Sequence, residues 1–205
     1  MIRSTIWAAA FFAAALLISG SAARAHGTRI GPLPPGLAIP AVEHGQMVVL
    51  ARYRSAILAL AARQHETDPT FRRLMNYSNL QETLCLWGFV PGSITDDASP
   101  FNECAHAYLA ATKALLVYMG GMPGPNGEAA ARLAVAMDAE MYGQGSSMQL
   151  CAFSGETFST GEFILPHWAD LWTDWPSAAS FAGLGLLMGA GGALLFGASG
   201  RPRRG

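Results

Sequence analysis

The residue with the clearest potential for metal chemistry is His26, because it follows a signal-peptide cleavage motif. Ala23-Arg24-Ala25 has the small-x-small pattern that signal peptidases cut. A cut after Ala25 makes His26 the first residue of the mature protein, where its free amine and its imidazole can both bind one ion. Imidazole nitrogen suits copper. His26 is therefore a candidate copper ligand, and cleavage after Ala23 is the alternative that removes it from the terminus.

A copper ion held by an N-terminal histidine resembles the histidine brace of the lytic polysaccharide monooxygenases. The resemblance covers one residue and the cleavage site, and the body of that family is a β-sandwich, whereas this chain has helical patterning. A brace also needs a second histidine, and no motif selects one of His44, His65, His106 and His167. We therefore predict no cofactor, and copper bound through His26 is the alternative.

The three cysteines predict a disulfide rather than a zinc site. Cys85 falls near the end of one predicted helix and Cys104 near the start of the next, so an antiparallel pair would bring them together. A bond that closes a loop of this length stabilises by roughly 3 kcal/mol. Cys151 could instead pair with either of them, or remain a buried thiol. There is no CxxC pair and no Cys/His group with zinc-ligand spacing.

Other motifs give little support for an enzyme. Glu103 and His106 have the Glu-x-x-His spacing of di-iron carboxylate bundles, but the sequence has no second such pair. We interpret them as a glutamate at a helix start and a partly buried histidine. Neither a GxSxG elbow nor a GxGxxG or Walker loop occurs. No catalytic residue is predicted.

Two apolar segments near the ends predict an exported, membrane-anchored protein. Residues 1–25 have the basic start, apolar core and cleavage site of a signal peptide. Residues 178–200 carry no charge and are long enough for one transmembrane helix. Arginines in the tail, 201–205, mark the cytoplasmic side. The predicted location is therefore the bacterial inner membrane, single-pass, with the main domain in the periplasm.

The region between these segments has the pattern of an all-α protein. A Pro/Gly-rich extended arm, 26–42, precedes a helical domain, 43–165, that should form a bundle of about four helices. The expected helices are 43–66, 69–87, 101–119 and 128–141, followed by an irregular stretch or short hairpin over 144–163. From His26 to Pro176 the chain has 14 acidic and 8 basic residues, which argues against nucleic-acid binding.

The approach to the predicted span is rich in tryptophan. In the juxtamembrane segment, 166–177, Trp168, Trp172 and Trp175 have i, i+4, i+7 spacing and would share one helix face. Tryptophan prefers the headgroup region of a bilayer, so they predict an interfacial belt, with packing into the core as the alternative. Inside the span, Gly185 and Gly189 form a GxxxG motif that predicts association with another membrane helix.

These features predict a non-catalytic accessory or assembly subunit, whose partner is a membrane protein or a second copy of this chain. The last thirty residues also resemble, in layout, C-terminal sorting signals of the PEP-CTERM type. Here Pro176 precedes the apolar stretch, but the Val-Pro-Glu-Pro motif is missing. That resemblance implies a sorted envelope or surface protein whose tail is removed.

Overall fold

A computed structural model describes residues 35–198, and this part of the chain is mainly helical. Its principal elements are β1 (Ala38–Ile39), α1 (His44–Ala62), α2 (Pro69–Leu84), α3 (Asn102–Gly120), α4 (Pro125–Gly143), β2 (Phe158–Ser159) and α5 (Trp175–Ala198). The four helices α1 to α4 correspond to the predicted ones. The all-α class is therefore confirmed, with one two-stranded sheet added.

The helices begin where polar side chains and prolines provide starts. Asp68 accepts a hydrogen bond from the amide of Phe71 at 2.8 Å, and Pro69 occupies the first turn of α2. Gly124, with a φ of 93°, directly precedes α4 and adopts a conformation that favours glycine. The predicted end of α2 at about Trp87 is wrong, because the helix stops at Leu84 and a left-handed turn follows.

Helix α3 is the centre of the domain and packs against α1, α2 and α4. Its alanines at 105, 107, 110 and 111 are buried, and their small side chains let the neighbouring helices approach closely. Ser78 of α2 and Thr112 of α3 share a buried hydrogen bond of 2.8 Å. A disulfide joins Cys85 to Cys104, with a Cα–Cα distance of 5.8 Å, consistent with the predicted pairing.

The described part of the arm, residues 35–42, is held against the domain. Ala38 pairs with Ser159 and Ile39 with Phe158 in an antiparallel register. Ile39 is buried in the core. The 144–163 stretch therefore forms no hairpin within itself, since its strand pairs with the arm. Two bonds between the Gln81 side chain and the backbone of Ile164, of 2.6 and 3.1 Å, fix the following segment to α2.

The juxtamembrane segment is not the continuous helix that the tryptophan spacing predicts. A 3-10 turn covers Trp168–Trp172, and α5 starts at Trp175. The carboxylate of Asp174 accepts from the amide of Ser177 at 2.9 Å, and Pro176 lies in the first turn of α5. The helix therefore restarts here, and the three tryptophans do not share one helix face.

Among the described residues, no helix combines the length and the apolar character that crossing a membrane requires. The predicted span, 178–200, ends outside the described residues. The signal peptide 1–25, His26 and the tail 201–205 also lie outside them.

Candidate functional site

Four large aromatic side chains are exposed on the turn after α2 and on the approach to α5, and that turn and α5 line a common apolar groove. Trp87 and Phe89 have exposed fractions of 52% and 81%, and Trp172 and Trp175 have exposed fractions of 75% and 79%. We call these four residues the aromatic surface. Single exposed hydrophobic residues are ordinary, but grouped large ones mark interaction or membrane sites.

The loop part of the aromatic surface has a strained backbone. Leu86, Trp87 and Gly88 have φ values of 53°, 54° and 64°, so two residues with side chains adopt the left-handed conformation. Such backbone costs about 1–3 kcal/mol per residue and persists only where the surroundings impose it. The disulfide at Cys85, directly before this turn, is one such constraint.

Contacts between aromatic rings attach the start of α5 to the domain. The ring of Trp168 packs edge-on against Phe101 at 5.5 Å and against Phe181 at 6.3 Å. Leu86, Trp87 and Phe89 on one side, and Phe181 and Leu184 on the other, line an apolar groove of about 300 Å³. Trp168 therefore packs into the domain more than Trp172 and Trp175 do.

The GxxxG glycines of α5 have no packing role within the described residues. A Cβ atom built on Gly185 or Gly189 would meet nothing within 4 Å. The same is true of Gly183 and Gly191, which lie on the other side of the helix. The surface around Gly185 and Gly189 is thus open to another helix.

A second group of residues has the opposite character, because it is polar and enclosed. One ring nitrogen of His44, one of His106 and the sulfur of Cys151 lie within 4.8 Å of one another. The Nε2 atom of His106 is 3.1 Å from the Cys151 sulfur, and the two imidazole centroids are 5.8 Å apart. We call these three residues the polar cluster. His106 is fully buried, whereas His44 and Cys151 are half-buried.

Three separate segments of the chain provide the polar cluster. His44 begins α1, His106 lies in the second turn of α3, and Cys151 follows α4 in the irregular stretch. The Ser154 hydroxyl accepts from the backbone amides of His44 and Cys151, at 3.1 and 3.0 Å, and so ties the two backbones together. A methyl group on Gly45 would overlap the backbone of Ser146, so glycine permits the loop to approach α1.

Burial keeps the His106 ring uncharged. Loss of solvent, and to a smaller extent the neighbouring His44, lower the pKa of His106 to about 4, and the nearby carbonyl of Val42 offsets part of this shift. At neutral pH the ring therefore keeps a free nitrogen lone pair. Within residues 35–198, the buried Nδ1 atoms of His44 and His106 have no hydrogen-bond partner of ordinary geometry.

The other predicted histidine ligands lie apart from this cluster. His65 is exposed. His167 is paired with Glu103, whose Oε2 is 2.7 Å from its Nε2. Glu103 contacts His167 and His106 contacts Cys151, so the two residues have different partners although they lie one helical turn apart. The polar cluster was missed because its members are 62 and 45 residues apart in sequence, so no spacing motif reveals it.

Comparisons with protein-family models, characterised proteins and solved structures find no match to this chain.

Proposed function

We propose that this protein is a membrane-anchored, non-catalytic accessory or assembly subunit of the bacterial envelope. Its signal peptide directs export, residues 178–200 anchor it, and the helical domain lies in the periplasm against the outer leaflet of the inner membrane. The observation that carries the proposal is the aromatic surface beside the start of α5.

The composition of the aromatic surface supports a position at the bilayer interface. Tryptophan has an apolar ring and a polar N–H, a combination that is stabilised at the headgroup level. Trp172 and Trp175 come directly before the predicted anchor, and Trp87 and Phe89 project from a loop that lines a groove with α5. These side chains would enter the interface together when the anchor is in the membrane.

The open side of α5 supports the proposal that this subunit binds a partner in the membrane. Because Gly185 and Gly189 contact nothing in their own domain, the described structure gives no packing reason for glycine at these positions. Small residues at this spacing let two membrane helices approach closely. The partner is a membrane protein or a second copy of this chain.

Quenching of tryptophan fluorescence by brominated lipids tests the position of the aromatic surface. The full chain is reconstituted in vesicles whose lipids carry bromine either near the headgroups or deep in the acyl chains. We expect strong quenching from the shallow position, and we expect replacement of Trp172 and Trp175 by phenylalanine to remove most of it.

Trp168→Phe is the matched control, because this neighbouring ring packs on Phe101 and Phe181. It should remove much less of the quenching than the double variant does. Fluorescence that neither brominated lipid quenches would contradict the proposed seating on the membrane.

A further inference from the structure

The chemistry of the polar cluster is that of a metal site. Thiolate sulfur and imidazole nitrogen are the ligands that copper and zinc prefer in proteins. We propose that His44, His106 and Cys151 bind one thiophilic metal ion, of the Cu(I) or Zn(II) class, through two ring nitrogens and one sulfur. This site goes beyond the proposed accessory function, and its three ligands do not include His26, the copper ligand predicted from the sequence.

The distances between the donor atoms are close to those that one ion requires. Zinc bonds of about 2.0–2.1 Å to nitrogen and 2.3 Å to sulfur place tetrahedral ligands roughly 3.3–3.6 Å apart. The three donor atoms lie within 4.8 Å, and the pair formed by His106 and Cys151 is already at 3.1 Å. Side-chain rotations of about 1 Å at the donor atoms are therefore enough to close the site around an ion.

A hydrogen bond between the thiol and His106 does not by itself explain the cluster. That bond uses the Nε2 atom of His106 and the Cys151 sulfur, and it leaves the buried Nδ1 atoms of His44 and His106 without a partner among the described residues. Burying a polar atom without a partner costs free energy. An ion shared by the three side chains accounts for the presence of both histidines beside the sulfur.

The surroundings hold the donors in place and leave a route to solvent. The Ser154 hydroxyl fixes the backbones of His44 and Cys151 and lies 3.7 Å from the sulfur. Asn102, one turn before His106, places its side-chain oxygen 3.7 Å from the same sulfur. Because His44 and Cys151 are half-buried, an ion can enter from their side.

Binding is an exchange of a proton for an ion, with no change of oxidation state. The S–H bond of Cys151 breaks, its proton leaves to solvent, and the sulfur electron pair forms the bond to the metal. Both imidazoles bind through lone pairs and stay neutral. With Cu(I) the ion and the thiolate have no net charge, whereas Zn(II) leaves one positive charge and an open position for water.

Metal titration of the full-length protein in detergent, with its disulfide intact, tests the site. Cu(I) and Zn(II) are each added in competition with a chromophoric chelator, and Co(II) is added as a spectroscopic probe of zinc-type sites. We expect one ion per chain and, with Co(II), a sulfur-to-metal charge-transfer band. Tighter retention of Cu(I) or of Zn(II) identifies which ion the site prefers.

Four variants make this result specific. Cys151→Ser should abolish the charge-transfer band, and His44→Gln and His106→Gln should each weaken binding by more than about tenfold, the lower end of what outer-sphere partners cost. His65→Gln, at an exposed histidine outside the cluster, should change nothing. His44 is half-buried, so its variant keeps the test decisive if His106→Gln unfolds.

Three results would overturn the proposal. The first is wild-type protein that takes up no Cu(I), Zn(II) or Co(II), and the second is a charge-transfer band that survives Cys151→Ser. The third is a Cys151 thiol that iodoacetamide modifies rapidly with or without metal, in a manner dependent on His106. This third result would identify a nucleophilic thiol, whereas protection by stoichiometric metal supports the metal site.

Discussion

The polar cluster and the aromatic surface depart in opposite ways from the usual distribution of side chains in a soluble domain. The cluster encloses two imidazoles and a thiol, with His106 fully buried, whereas the aromatic surface leaves four large rings in contact with solvent. Buried polar groups and grouped exposed apolar groups are the informative exceptions to burial of hydrophobic residues. We propose a different occupant for each region, an ion for the polar cluster and a membrane for the aromatic surface.

The two regions also differ in how the chain constructs them. Helices α1 and α3 and a loop bring together the three distant members of the polar cluster, and side-chain to backbone hydrogen bonds fix them. The aromatic surface depends on a left-handed turn and on the start of α5. The disulfide connects them, because Cys104 lies two residues before His106 and Cys85 lies two residues before Trp87.

Removal of the disulfide should have the largest effect on stability, since it loosens both regions. For Cys85→Ser combined with Cys104→Ser we expect the free energy of unfolding to fall by roughly 3 kcal/mol. Chemical denaturation of the oxidised protein and the variant measures this loss. Faster amide hydrogen exchange over residues 85–90 should accompany it, because the left-handed turn loses one of its constraints. An unchanged midpoint would show that the bond contributes little.

Acidification should have the next largest effect, and His106 of the polar cluster should contribute strongly to it between pH 7 and pH 5. The pKa of His106 is about 4 in the folded protein and near the ordinary 6.5 in the unfolded chain. The unfolded chain therefore takes up a proton at a higher pH than the folded protein, so stability falls as the pH drops from 6.5 towards 4. Between pH 7 and pH 5 the expected loss is about 2 kcal/mol.

Urea unfolding at these two pH values, in protein treated with a metal chelator, measures the effect. The His106→Gln variant removes the titrating ring and should lose about 2 kcal/mol less than wild type over the same interval. The aromatic surface provides the comparison, since Phe89→Ser removes no titrating group and should keep the wild-type pH dependence. Equal losses in wild type and His106→Gln would contradict the assignment to this ring.

The two regions also show which parts of this molecule can be predicted from its sequence. The start of α2 is predictable because Asp68 and Pro69 act locally, whereas α4 begins at Pro125, three residues before the predicted start at 128. The disulfide follows from the antiparallel arrangement of two such helices. These features depend on neighbouring residues, so a pattern in the sequence is enough to find them.

The features that were missed depend on contacts between distant segments or on unusual backbone. The polar cluster needs the positions of α1, α3 and the loop at Cys151, and no short motif encodes that packing. The left-handed turn falls on Leu86 and Trp87, whose side chains do not favour positive φ. The pairing of Ala38 with Ser159 similarly joins two short segments that carry no strand pattern.

Substitution in the GxxxG motif should have the smallest effect on the domain and yet remove the proposed association. A Cβ at Gly185 or Gly189 meets no neighbouring atom, so leucine at both positions should not disturb the domain, and its higher helix propensity should stabilise α5 itself by up to about 1 kcal/mol per residue. In lipid, however, the same leucines would separate two closely packed helices.

Gly183→Leu with Gly191→Leu adds the same bulk to the other side of α5 and is the matched control. We expect cross-linking of the full chain in native membranes to capture its complex in wild type and in the control, but not in the Gly185 and Gly189 variant. Capture that is equal in all three proteins would mean that association, if it occurs, uses a different surface.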